Sequence, residues 1–207
     1  MEASASGHGT GQPEPAEWQP RAIWVGGRLL CGAISFFFGS FVFAFFYLKE
    51  LDTNHSWKIG TVQPAKGIGM VIMALIVVGA VIYRLAAKRE EVDELAAGAI
   101  AVLFTLAAVA LQFFEYTLLG FGASSGGYAS VFIGWTATYA VLALMGVYWI
   151  WIQTASMFRM RREGEHEVEI PAGEEELLRA GVEAASFYWA YFAAIGFLAW
   201  IVLYYVR

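Results

Sequence analysis

Three residues in the apolar parts of this chain carry side chains that a membrane interior has to accommodate: Gln112, Glu115 and Arg28. Gln112 and Glu115 are three apart and share one face of a helix. A carboxylate in hydrocarbon costs on the order of 2.5 kcal/mol or more, so Glu115 has to face protein, water or a polar partner. Two roles follow: a proton or ion relay, or a helix-end acid held by loop backbone or by the neighbouring Tyr116. Arg28 falls a turn or so inside a membrane boundary, from where it can snorkel to head groups and bind a lipid phosphate.

Other chemistries lack their residues. The three histidines, His8, His55 and His166, all fall in polar segments, whereas haem held by axial imidazoles or copper held by a histidine cluster needs them on the helices. Lys49, Lys58, Lys66 and Lys88 also lie outside the apolar runs, which leaves no Schiff-base lysine and no base for an intramembrane serine. Cys31 is the only cysteine and reads as a small buried hydrophobe. No catalytic residue, bound cofactor or metal site is expected in this chain.

The elements that position these residues follow from composition. With 59% hydrophobic and 15% charged residues and a mean hydropathy of +0.57, the expected class is an all-α integral membrane bundle. A hydrocarbon core of about 30 Å needs roughly 20 apolar residues per helix. Five segments qualify, at about 22–48, 67–87, 95–119, 128–158 and 182–206. Residues 1–21 read as a disordered tail, with three acids and much Gly, Pro and Ser. Pro171 followed by Glu174, Glu175 and Glu176 reads as a helix start, so the last helix begins before the membrane. A net charge of −5 gives no footprint for nucleic acid.

Lys and Arg set the expected orientation. With the amino terminus cytoplasmic, nine of them (Arg21, Arg28, Arg84, Lys88, Arg89, Arg159, Arg161, Arg162 and Arg179) lie inside and four outside, so the carboxyl terminus is outside. Trp24, Trp57, Tyr83, Trp149, Trp151, Tyr204 and Tyr205 fall near helix ends and read as head-group anchors. The Ala- and Gly-rich third helix is expected at the packed centre, and the Phe-rich first helix against lipid or a partner. The run from Lys88 to Glu94 reads as a solvated turn.

The order of motifs resembles subunit III of the haem-copper (cytochrome c) oxidases in its short five-helix bacterial form. Phe43-Ala44-Phe45-Phe46-Tyr47 closes the first helix and Gln112-Phe113-Phe114-Glu115-Tyr116 the third. A Gly-rich loop then runs into Gly127-Tyr128-Ala129-Ser130-Val131-Phe132. Ser186-Phe187-Tyr188-Trp189 opens the last helix, and Tyr204-Tyr205-Val206-Arg207 ends it. The sequence departs from the family at its polar positions. Ser35 stands at the place of a membrane Glu, Tyr139 and Leu142 at two His positions, and Ala190 and Ala193 at those of a His and an Asp.

The resemblance implies a non-catalytic subunit that packs beside oxidase subunits I and II, binds phospholipid and supports the catalytic subunit. Haem and copper would then reside in the partner subunits, and cytochrome c would be met only indirectly. The expected location is a bacterial inner membrane. Arg28, Gln112, Glu115, Tyr116, Tyr188 and Trp189 are the expected lipid or subunit contacts. Alternatives are the equivalent partner of a nitric oxide reductase, an independent small transporter with Glu115 as its coupling acid, and an assembly factor.

Overall fold

The computed structural model describes residues 18–53, 57, 63–89, 93–165 and 173–206. Its helices are α1 (Gln19–Glu50), α2 (Lys66–Ala86), α3 (Glu94–Leu118), α4 (Gly127–Glu165) and α5 (Glu174–Ile201), and α5 continues into a π-helical turn, Val202–Val206. All five are long and apolar enough to cross a membrane, and no strand occurs among the described residues. The chain is a multi-pass membrane protein built as an all-α bundle.

Local chemistry explains where the helices begin. Pro20 sits in the first turn of α1, where a missing N–H costs nothing. Asp93 caps α3 by accepting from the Leu95 amide at 2.9 Å. Glu174, Glu175 and Glu176 occupy the first turn of α5, against the positive end of its dipole, and Gly173 before them adopts φ 89°, a left-handed conformation that suits glycine. Pro171 lies outside the described residues, as do residues 1–17, the three histidines, Lys58 and Arg207. The first helix starts at Gln19, three residues earlier than apolarity alone indicates.

α1 has 32 residues and α4 has 39, roughly 48 and 58 Å at about 1.5 Å per residue, so both outrun a hydrocarbon core of about 30 Å. Their extra turns carry the charge. On α4, Arg159 pairs with Glu163 and with Glu174 at the start of α5, and Arg161 pairs with Asp93 at the start of α3. Asp93 therefore ties α3 to α4 instead of being merely solvated in a turn.

α5 lies against α1, α2 and α4, and α4 against α1, α3 and α5. α3, expected at the packed centre for its small residues, packs against α2 and α4. Small residues still set the close approaches. Gly98 of α3 leaves room for Thr154 of α4, Gly146 of α4 receives the Trp189 ring, and Gly181 of α5 lies against the Gln153 amide. α1 is the least covered helix, with 22% of its apolar window buried against 39% for each of the others. Leu29, Phe36 and Phe43 stand out from it.

Candidate functional site

Glu115 occupies the last turns of α3 and is wholly buried, at 0% exposure. Its carboxyl oxygens lie 2.8 Å from the Tyr204 hydroxyl, which donates to them from the π-helical turn. Gln112, one turn earlier on the same face, donates its amide to Glu115 Oε2 at 3.0 Å. None of the ion pairs among the described residues involves Glu115. An acid in this position is held by neutral donors, as a buried carboxyl without a cation requires.

Tyr116 does not join this cluster. Its hydroxyl meets Thr136 Oγ1 of α4 at 2.7 Å, and Thr136 in turn bonds the Phe132 carbonyl. Thus adjacent residues of α3 reach different partners: Glu115 takes the end of the chain and Tyr116 takes α4. Among the described residues the hydrogen-bond partners of Glu115 are Tyr204 and Gln112, where the helix-end expectation had loop backbone or Tyr116.

The π turn is held from every side. Tyr128 at the start of α4 donates its hydroxyl to the Leu203 carbonyl at 2.6 Å, and Lys49 at the end of α1 donates to the Val206 carbonyl at 3.0 Å. Lys66 at the start of α2 sits 4.9 Å from the Tyr205 ring centre. Gly69 makes room for Tyr204, since a Cβ at that position would lie 2.5 Å from Tyr204 Cζ. Trp57, from the segment between α1 and α2, closes this end of the bundle. It lies edge-on to Phe45 and Tyr128, and its carbonyl accepts from the Tyr128 amide.

Burial corrects the anchor assignment. Trp57, Tyr83 and Tyr204 are internal, whereas Trp151 and Tyr205 are exposed, as head-group aromatics are. Tyr204 is the partner of Glu115 that sequence reasoning missed. An aromatic ring near a helix end carries no local mark of a partner 89 residues away.

Tyr188 and Trp189 lie inside the bundle, at 3% and 0% exposure. Both rings meet Phe192, and Tyr188 also meets Trp149. Tyr139 stacks on Phe192 with centroids 4.2 Å apart and donates to its backbone carbonyl at 3.2 Å. Gly196 gives the Tyr139 hydroxyl its space. Ser35 pairs with the Tyr191 hydroxyl, while Ala190 and Ala193 line an apolar groove between α2 and α5. Tyr139 therefore fills its position by aromatic packing, Leu142 is part-buried against the core, Ala190 and Ala193 are small and apolar, and Ser35 keeps a hydrogen-bonding hydroxyl.

At the opposite end, Arg28 is exposed on α1, with its guanidinium 4.4 Å from the Trp24 ring centre. Glu183 of α5 sits at the same level, a second ionisable residue at the edge of the apolar region that the sequence reading passed over. Arg84 of α2 donates to Ser186 Oγ at 2.9 Å and to the Glu183 carbonyl at 3.4 Å. These three charges mark where the apolar surface ends. Among the described residues no group of three His, Cys, Asp or Glu side chains converges. No family model and no curated protein matches this chain.

Proposed function

We propose that this chain is a non-catalytic, subunit III-like component of an aerobic haem-copper oxidase, a scaffold that binds phospholipid and supports the catalytic subunit. What supports the reading is the meeting of four separate motifs of the resemblance at one end of the bundle. Phe45 from the first packs on Trp57, Trp57 bonds Tyr128 from the Gly-rich motif, Tyr128 bonds Leu203, and Tyr204 from the ending bonds Glu115 of the third. Segments far apart in sequence resemble the family in order, and they also form one set of contacts here.

In this reading Glu115, Gln112 and Tyr204 clasp the carboxyl-terminal turn to α3, and the work of the chain is to present α1. That helix offers lipid or a larger subunit its row of Leu29, Phe36 and Phe43. Arg28 meets a lipid phosphate on the cytoplasmic side, with the carboxyl terminus outside. Electron transfer to oxygen takes place in the partners, which hold the haem and copper.

The deciding experiment is purification in mild detergent through a tag on this chain, followed by an absorption spectrum. Haem-bearing and copper-bearing subunits are expected to come with it; a colourless, monodisperse protein would sink the reading. In the assembled complex, Glu115→Gln is expected to leave turnover unchanged, and lost proton pumping would make the acid a relay.

A further inference from the structure

Helices α2 and α5 run antiparallel, since Arg84 near the end of α2 meets Ser186 of α5 while Gly69 near its start meets Tyr204. The groove between them has a volume of about 570 Å³. Met70, Ala74 and Val77 line one wall at helical spacing, and Ala190, Ala193 and Ala194 hollow out the other. Phe197 and Trp200, stacked with centroids 5.8 Å apart, stand at the end away from Arg84.

Among the described residues that line the groove, Arg84 is the one that carries charge. One of its terminal nitrogens donates to Ser186 Oγ at 2.9 Å and to the Glu183 carbonyl at 3.4 Å. Arg84 forms no ion pair among the described residues, and the Glu183 side chain lines the separate groove between α1 and α5. The rest of the guanidinium fork is left for an anion. Arg84 lies two residues before the end of α2, at the bundle end where the charges gather, so that anion meets it at head-group depth.

Dimensions select what fills the space. Met70 and Arg84 are 14 residues apart, roughly 21 Å at about 1.5 Å per residue. Spread over that length, 570 Å³ gives a cross-section of roughly 27 Å². A transmembrane helix about 10 Å across covers roughly 80 Å². The groove therefore has room for a hydrocarbon chain and not for a helix, and its length is more than half the hydrocarbon thickness of about 30 Å, the reach of a chain from one leaflet. We infer that one acyl chain of a phospholipid lies between α2 and α5, with the phosphate of that lipid on the Arg84 guanidinium. Phospholipid binding by this chain is the premise, and the site is a second one, apart from the lipid contact at Arg28.

The test places the intact protein in phosphatidylglycerol nanodiscs with a trace of the same lipid carrying a diazirine midway along one chain, and maps the cross-links after illumination. Labelling of Ala74, Val77, Ala194 and Phe197 is expected to exceed that of Leu103 and Leu106, on the exposed face of α3, by on the order of tenfold. That is the factor one hydrogen bond to a charged group supplies. Arg84→Gln is expected to remove most of the excess. Ala74→Phe and Ala194→Phe, at exposed positions where a ring fills the groove, are expected to abolish it while the protein stays folded. Equal labelling of the groove and of α3 means surrounding lipid only and overturns the site, as does an excess unmoved by Arg84→Gln. A dimer of this chain that Ala74→Phe dissolves would give the groove to a helix instead. If the groove fails while Arg28→Gln still lowers lipid retention in native mass spectra, phospholipid binding stands and this site alone falls; if no lipid is retained in either place, both fall.

Discussion

The Tyr204 hydroxyl sits 2.8 Å from both carboxyl oxygens of Glu115, joining the last turn of the chain to the end of α3 across 89 residues. In a bundle whose apolar helices gain little by leaving lipid for one another, such a polar contact is a large part of what fixes the position of an element. Tyr204→Phe leaves one carboxyl oxygen with no donor and the other with Gln112 alone. A loss of about 1–3 kcal/mol is expected, the cost of an unsatisfied buried acceptor. Glu115→Gln is expected to lose less, because the new amide still accepts from Tyr204. Thermal unfolding in detergent measures both, and an unchanged midpoint for Tyr204→Phe would remove the clasp from the folding energetics.

Two glycines hold tyrosines in place by having no side chain. An alanine at position 69 brings a methyl to 2.5 Å from Tyr204 Cζ, and one at position 196 collides with the Tyr139 hydroxyl. Both substitutions are expected to destabilise by about 1–3 kcal/mol, the usual penalty for overpacking. Gly26→Ala on the open face of α1 meets nothing within 4 Å and is expected to gain up to about 1 kcal/mol from the stiffer helix. Gly69→Ala should also weaken the effect of Tyr204→Phe in a double-mutant cycle, because it displaces the same ring.

The two tryptophans Trp189 and Trp151 separate interior packing from surface anchoring. Trp189 is fully buried and fitted over Gly146, whereas Trp151 is 58% exposed on the same bundle. Trp189→Ala is expected to cost about 3–5 kcal/mol through the cavity it opens. Trp151→Ala is expected to stay within about 0.5 kcal/mol, as surface changes usually do. Equal losses at the two positions would mean that Trp151 is covered by something outside this chain.

The five helices were legible because the bilayer demands long apolar runs and pushes charge to their ends, a signal carried by every residue of a segment. The start of the last helix was legible for the same kind of reason, since Glu174 to Glu176 announce a helix dipole locally. Partner choice leaves no such trace. Trp57, Tyr83 and Tyr204 have the composition and position of head-group anchors, and only the crossing of helices decides that they point inward. Gln112 and Glu115 were paired by spacing alone, and that pairing is found. The diversion of Tyr116 to Thr136 depends on where α4 passes, which spacing on α3 does not encode. Glu183 was overlooked because it sits where a charged first turn becomes an apolar helix, and its relation to Arg28 exists only between helices.

Asp93 combines a helix cap with an ion pair, and the two parts can be separated by pH and by substitution. Its side chain accepts from the Leu95 amide and bonds both terminal nitrogens of Arg161, at 2.7 and 3.2 Å. The Arg161 hydrogen bonds are the main cause holding the carboxyl below the ordinary aspartate value of 3.8. A carboxyl whose folded-state pKa is depressed stabilises the fold above its unfolded value and loses that contribution as pH falls through the folded one. Stability from this pair should therefore be flat above about pH 5 and decline below 3.8. Both side chains are about half exposed, at 54% and 50%, so the pair is worth no more than about 0.2–1 kcal/mol. Asp93→Asn keeps a capping oxygen and should lose only that amount, with the acid-side slope reduced. Asp93→Ala loses the cap as well and should cost about 1 kcal/mol more. Unfolding midpoints of the three proteins between pH 3 and 7 check the sign, and a slope in Asp93→Asn equal to that of the parent protein would assign the acid sensitivity to other carboxylates.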